Sequence, residues 1–459
     1  MKNKIITIAV LILITIADLY SQNEQDIQTL SIFTEYVKSK DYDAAYQPWM
    51  ELRQRNPKFN KAIYIYGELI LKHKIKTSVG QDQINFLNDL LKLWKERKNN
   101  FDGSTPTGTY MAKSCQLKYD YRSELGYTKQ NILECFNESY ELDSESFTNP
   151  KSLYTYFSLV VDIYDLGEIQ ANALFNMYDI ITEKVENEIK NYTNKRNLYL
   201  DENGDVKELS SKDTSKLKSY NSYLTAYEKI SSSIDSKLGS RANCENLIPL
   251  YNKDFDKNKD NGLWLQRAMN RMYSKGCNED PLFIKIVEEK NKLEPNADTS
   301  FYLGLLKEKA GLGNEAIVYY NQAIDLETDN FAKSKILFKI ATSFKNRRRY
   351  SQARKYYNKA LKYNPSMGRA YLAIAAMYAK SANKCGSDNF SKRAVYWLAA
   401  NEAAKASRVD PSMKKYANKS IRNYKEKAPQ KNEIFSSGRA GERISIGCWI
   451  NKSITVPKL

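Results

Sequence analysis

The sequence predicts an all-α protein, a solenoid of stacked helical hairpins ending in a short C-terminal β-hairpin. Three observations carry that expectation. Glycine and proline are scarce, at 18 and 11 in 459 residues, which favours helices over a turn-rich β protein. Apolar residues recur at helical spacing, as in SLYTYFSLVVDIYDL and DPLFIKIVEEKNKLEP. One line is also written twice. GNEAIVYYNQAIDLETD, from Gly313, returns 37 residues later as YSQARKYYNKALKYNP, from Tyr350 to Pro365.

The chain opens MKNKIITIAVLILITIADLYSQNEQ. Lys2 and Lys4 form a basic start, Ile5 to Ala17 an apolar stretch, and Ser21 a small residue before Gln22. Residues 1–21 are therefore expected to be a cleaved secretory signal. The apolar run is shorter than the roughly 20 residues a membrane span needs. No cysteine follows it before Cys115, so no acylation site for a lipoprotein is expected. No later segment is long and apolar enough to span. These features predict an exported protein, periplasmic or secreted, with at most peripheral membrane contact.

Export changes the meaning of the six cysteines, because disulfides persist in oxidising compartments. Neighbours in sequence suggest Cys115–Cys135, Cys244–Cys277 and Cys385–Cys448. The first pair lies almost symmetrically about the turn near Gly126. Buried free thiols are the alternative for each pair. Zinc is set aside: there is no CxxC, and His73 is the one histidine.

Aligning the repeated lines matches Ala316, Tyr320 and Ala323 with Ala353, Tyr357 and Ala360. Spacings of four and three put each trio on one helical face. Small residues, Gly304 and Ala341, precede the first alanine of each trio by twelve positions and would let two helices cross closely. Pro365 ends the second copy, since proline cannot continue a helix. This pattern resembles the tetratricopeptide repeat, a helical hairpin of about 34 residues that buries its apolar face only by stacking on its neighbours. Residues 297–330 and 334–367 fit one unit each. A third, 368–411, carries Tyr371, Ile374, Ala375 and Tyr378, then an inserted loop at 381–392 (SANKCGSDNFSK), and resumes at Ala399, Ala403 and Ala406 before Pro411. Within 22–100, Ile32, Phe33 and Tyr36 precede Tyr42, Ala45, Trp49, Leu52 and Pro57 at family positions. Pro48 departs from the pattern and is expected to kink its helix, and Gly67 opens a second unit. Residues 101–296 read as degenerate repeats or a non-repeat bundle. They contain a segment near 198–215 whose Asn203-Gly204 suggests a β-hairpin or loop. Residues 412–459 are expected to form a helix and a capping β-hairpin.

Little in the sequence points to catalysis. DFDKNKDNGLW, from Asp254, alternates oxygen ligands, but Lys259 and Leu265 stand where a calcium loop needs glycine and glutamate. It reads as a solvated turn. A lone histidine disfavours Ser-His-Asp and Cys-His chemistry, and no HExxH, GxSxG or phosphate-cradling loop is present. No enzyme activity, cofactor or metal is expected. A helical-barrel hydrolase working through paired carboxylates is the remaining catalytic alternative.

Net charge is +17, and it is uneven. Residues 331–430 hold 24 Lys and Arg against 4 Asp and Glu, a net +20 that leaves −3 for the rest. Export argues against a nucleic-acid partner and for an acidic protein surface or anionic headgroups. The repeat resemblance implies a scaffold that binds a protein or peptide on the concave face of its first helices. Here that face would include Lys335, Phe338, Thr342, Lys345, Arg369, Leu372 and Ala376, with Arg347, Arg348 and Arg349 at the adjoining turn. The family's Lys/Asn clamp for carboxylates is not present. Signal type, Lys/Asn usage and the Cys-Trp ending resemble exported repeat proteins of Bacteroidota. The expected function is a non-catalytic scaffold of the cell envelope. The alternative is a module that binds anionic glycan or lipid through the basic repeats.

Overall fold

Many helices begin at a side chain that accepts a backbone N–H, as Asp41, Asn149, Ser210, Asn243, Asn296, Asp329 and Asp388 do. The computed structural model describes residues 23–201 and 204–459. The expected signal segment and Asn203 lie outside that range. The chain divides after Met177 into two compact units.

The first unit contains α1 (23–38), α2 (Tyr42–Arg55), α3 (Ala62–Thr77), α4 (Gly80–Asn100), α5 (Thr107–Asp120), α6 (Arg122–Leu125), α7 (Lys129–Leu142), α8 (Pro150–Asp165) and the start of α9 (Ala171–Asn197). Its N-terminal core gathers Phe33, Trp49, Leu52, Tyr64, Leu71 and Leu90. Gly67 is required there, because a Cβ would stand 2.6 Å from the Trp49 ring. Trp49 Nε1 donates to the Ile63 carbonyl at 2.8 Å, and Pro48 sits inside α2. The Cys115–Cys135 disulfide joins α5 to α7. His73 packs its ring on Tyr42 and meets Asp43 at 3.3 Å.

The second unit holds the rest of α9, then α10 (Ser211–Leu238), α11 (Cys244–Asn258), α12 (Gly262–Ser274), α13 (Pro281–Leu293), α14 (Ala297–Lys309), α15 (Gly313–Leu326), α16 (Asn330–Asn346), α17 (Tyr350–Tyr363), α18 (Gly368–Cys385), α19 (Asn389–Val409), α20 (Lys414–Lys427) and α21 (Lys431–Ser437). Helix pairs α14/α15, α16/α17 and α18/α19 pack as successive hairpins, giving the tetratricopeptide-type solenoid. Tyr320, Tyr357 and Tyr378 are fully buried along it. At Gly304 a Cβ would fall 2.7 Å from the Tyr320 ring and 3.2 Å from the Ala316 carbonyl. The glycine therefore sets how closely α14 and α15 cross.

The turns of the first two hairpins are equivalent. Gly311, at φ +80°, and Arg348, at φ +59°, occupy the same left-handed position, 37 residues apart. Leu312 N donates to the Lys307 carbonyl and Arg349 N to the Phe344 carbonyl, which satisfies the last carbonyls of each first helix.

Two expectations need correction. The 381–392 insert is not a loop. Residues 381–385 extend α18, and α19 starts at Asn389 with Asp388 accepting from Ser391 N at 2.7 Å. The third hairpin is lengthened at both helices, with three residues between them. Nor is Asp254–Asn258 a turn: it is the last stretch of α11, and Asn261 caps α12.

Near 198–215 a single antiparallel bridge pairs Leu200 with Val206. Strands β1 (Arg443–Ile446) and β2 (Lys452–Thr455) form the expected C-terminal hairpin, in register Arg443↔Thr455 to Ile446↔Lys452. Trp449 anchors it. Its ring lies 5.4 Å from those of Tyr350 and Tyr378, and its Nε1 donates to Ser381 at 2.9 Å. Arg354 donates to the carbonyls of Ile450 and Trp449, and the Cys385–Cys448 disulfide fixes the hairpin to the end of α18. Cys244–Cys277 joins the start of α11 to the segment after α12. Among the described residues, no helix is long and apolar enough to cross a membrane.

Two substitutions test the crossing and the turn by urea unfolding. Gly304→Ala lowers stability by about 1–3 kcal/mol, the usual range for overpacking. Arg348→Gly raises it by about 0.5 kcal/mol or more, because glycine adopts the left-handed conformation without strain.

Candidate functional site

Five helices of the second unit, α9, α10, α12, α14 and α16, line a groove of about 740 Å³. Its walls are charged and aromatic, and the charges are arranged in pairs. Arg271, buried on α12, bonds Asp179 of α9 and the Tyr251 hydroxyl. Arg267, one turn earlier, grips Glu183 with two bonds of 2.8 Å, the bidentate geometry that suits guanidinium and carboxylate. Lys275 reaches Asp235 of α10 at 3.2 Å, and the Tyr178 hydroxyl donates to the same carboxylate at 2.7 Å. Lys335 of α16 meets Glu186 at 2.8 Å.

Lys339 of α16 bonds Asp298 of α14 at 3.0 Å. Its ammonium lies 5.5 Å from the Phe301 and Tyr302 ring centroids and 5.9 Å from that of Tyr273. Burial works to raise the Asp298 carboxyl, but Lys339, by charge and by hydrogen bond, more than offsets it and holds the group below its usual range. Asp179 is shifted the other way, because burial outweighs the pull of Arg271. Burial also drives the Tyr178 and Tyr302 hydroxyls upward, so both are neutral donors. Gln266 links Asp298 to Asn296, with bonds of 3.0 and 2.8 Å.

Of the partner-contact residues expected from the repeat pattern, Lys335 alone lines this groove. Phe338 is half-buried against the Tyr357 ring at 5.3 Å. Thr342 donates to the Phe338 carbonyl and bonds the Tyr357 hydroxyl at 3.0 Å. Lys345, Leu372 and Ala376 are half-buried, and burial pulls the Lys345 ammonium down. Arg369 is exposed, 3.7 Å from Glu228.

The arginine triplet divides. Arg347 donates to the Glu308 carbonyl at 2.9 Å and lies 3.7 Å from its carboxylate. Glu308 itself is buried beneath the Tyr320 and Ser343 hydroxyls. Arg348 and Arg349 are exposed in the turn. The repeat-packing residues Gly304, Ala316, Tyr320, Ala323, Ala353, Tyr357 and Ala360 are all buried, and Pro365 is half-buried just beyond α17.

Sequence reasoning missed Asp179, Arg267, Arg271, Asp298 and Lys339. The one legible signal was the spacing of four that sets Arg267, Arg271 and Lys275 along one side of α12 and its C-terminal end. Among the described residues, no group of three or more His, Cys, Asp or Glu is placed to hold a metal ion.

No protein-family model matches the sequence, and no curated protein matches it. Solved structures do. A tetratricopeptide repeat protein from Parabacteroides merdae shares 13% identity over 68% of this chain and 97% of its own, with a TM-score of 0.25. Yeast Tom70 shares 12% over 88% of this chain and 76% of its own, at 0.27. The APC/C hetero-tetramer Cut9-Hcn1 shares 11% over 90% and 98%, at 0.30. The repeat architecture of this chain rests on its own hairpins, through the buried tyrosines and the matching turns.

The Asp298–Lys339 pair gives a pH test. A depressed folded pKa means that Asp298 stabilises the protein above the unfolded value of about 4, and that this contribution disappears as pH falls through the folded value. Asp298→Asn lowers stability at neutral pH by about 1.5–3 kcal/mol, the range for a charge-assisted hydrogen bond. Chemical unfolding at a series of pH values shows the gap from wild type closing in acid.

Proposed function

We propose that the protein is a non-catalytic interaction scaffold of an exported compartment, and that the groove of the second unit binds an extended peptide segment of its partner. The observation that carries this reading is the pairing inside the groove. Asp179, Glu183, Glu186, Asp235 and Asp298 each face a cation. Carboxylates committed to ion pairs are poorly placed as the acid and base of a hydrolase. They instead form a rigid, alternating-charge wall, and Tyr178, Tyr273 and Tyr302 add flat apolar faces with polar tips. A peptide backbone and mixed side chains suit such a surface. The volume is that of a cleft for a few residues rather than for a folded domain.

The three disulfides support export, since such bonds persist where the environment is oxidising. They tie α5 to α7, the start of α11 to the segment after α12, and the end of α18 to the terminal hairpin, which suits a scaffold that keeps its shape outside the cell. The basic block favours an acidic partner, and Lys335 and Lys339 are its cations at the groove.

Selection of displayed random peptides against the purified protein tests this reading. Enriched peptides compete with one another and bind with micromolar or tighter affinity. Ser231→Trp, which places a ring in the groove, weakens them at least roughly 10-fold, equivalent to about 1.4 kcal/mol. Arg349→Ala, outside the groove, leaves them unchanged. Peptides equally indifferent to both substitutions would contradict the groove as the site.

A further inference from the structure

Placing the side chains separates two kinds of cation within the basic block of residues 331–430. Some are structural: Arg347 on Glu308, Arg354 on the terminal hairpin, Arg393 on Glu433 and Lys405 on Glu402. Helix α20 differs. Its fourteen residues, KKYANKSIRNYKEK, carry six cations and one carboxylate, Glu426. Lys414, Lys415, Lys419, Arg422 and Lys425 are all exposed, and none makes an ion pair with another described residue.

The helix is also two-sided. Ala417 is buried, Ile421 and Tyr424 are half-buried, and Tyr424 stacks on Tyr396 of α19. Lys415, Lys419 and Arg422 repeat the same spacing of four and three on the opposite side. Tyr416, 64% exposed, flanks them.

We propose that the outer face of α20 docks on an anionic lipid surface. The character of the cations decides between partners. Five of the six are lysines, compact hydrated charges on flexible stems rather than planar forks. Apart from Lys427, whose ammonium lies 5.8 Å from the Tyr396 ring centroid, they are not held in place by other side chains, unlike Arg267 and Arg271 in the groove. A rigid protein or glycan surface is matched by donors fixed in position. Mobile headgroups can instead move to meet each ammonium. An exposed tyrosine beside the charged stripe suits the boundary between headgroups and acyl chains. This surface is distinct from the peptide groove, so a scaffold could hold its partner while resting on a membrane.

Vesicle sedimentation of the full chain tests the proposal. Phosphatidylcholine vesicles doped with phosphatidylglycerol bind the protein at low salt and release it at high salt, while pure phosphatidylcholine vesicles do not bind. Each cation near an anionic membrane strengthens binding roughly five-fold, so Lys415→Gln/Lys419→Gln/Arg422→Gln weakens it roughly 100-fold. Groove peptides bind that variant as they bind wild type, which confirms its fold and separates the two surfaces. Equal binding to neutral vesicles, undiminished binding of the variant, or retention by an acidic polysaccharide but not by anionic vesicles would overturn the proposal.

Discussion

In the second unit, the Tyr320 ring lies where a side chain at Gly304 would have to go. That close crossing brings α14 and α15 together, buries the tyrosine, and leaves its hydroxyl able to reach Glu308 at 2.7 Å. Glu308 then accepts from Ser343 of the next hairpin and is met by Arg347 at the turn after it. One small residue therefore sets the spacing within a hairpin and, through a buried carboxylate, the register between hairpins. The first unit uses the same device at Gly67 beneath the Trp49 ring. Stacked hairpins gain their stability from such nearest-neighbour contacts, because no single hairpin can bury its apolar face alone.

The groove is a consequence of the stacking. First helices of successive hairpins present one face each, and α9 and α10 supply the facing wall. Such a surface could be apolar, but here it is built from ion pairs. Buried pairs add little net stability compared with well-packed apolar side chains, yet removing one partner leaves an expensive uncompensated charge. The Arg271–Asp179 and Lys339–Asp298 pairs thus define the groove's shape more than they strengthen the fold. Their tyrosine neighbours stay neutral and donate within the wall, Tyr178 to Asp235 and Tyr302 to Asn270. The terminal hairpin acts elsewhere, where Trp449, Arg354 and the Cys385–Cys448 bond tie it to α17 and α18.

The repeat was legible because its determinants are local. Ala316, Tyr320 and Ala323 recur intact at Ala353, Tyr357 and Ala360, and the left-handed turn at Gly311 has its counterpart at Arg348. The terminal hairpin showed itself by alternation. The 381–392 insert misled, because Gly386 and Asp388 mark a real turn while the residues on both sides continue helices. The groove was almost invisible. Asp179 and Arg271 are 92 residues apart, and Lys335 and Glu186 are separated by 149, so no spacing rule could join them. The basic block showed in composition, but composition could not say which cations were already engaged. Arg347 looked free and is held by Glu308, while the lysines of α20 drew no notice.

Hydrogen exchange of the protein with and without a groove-selected peptide tests the central claim most directly. Slowed exchange concentrated in α9, α12, α14 and α16, with α20 and the terminal hairpin unaffected, is the expected result. Protection confined to the outer helices, or spread evenly over the chain, would contradict the groove as the place where this protein meets its partner.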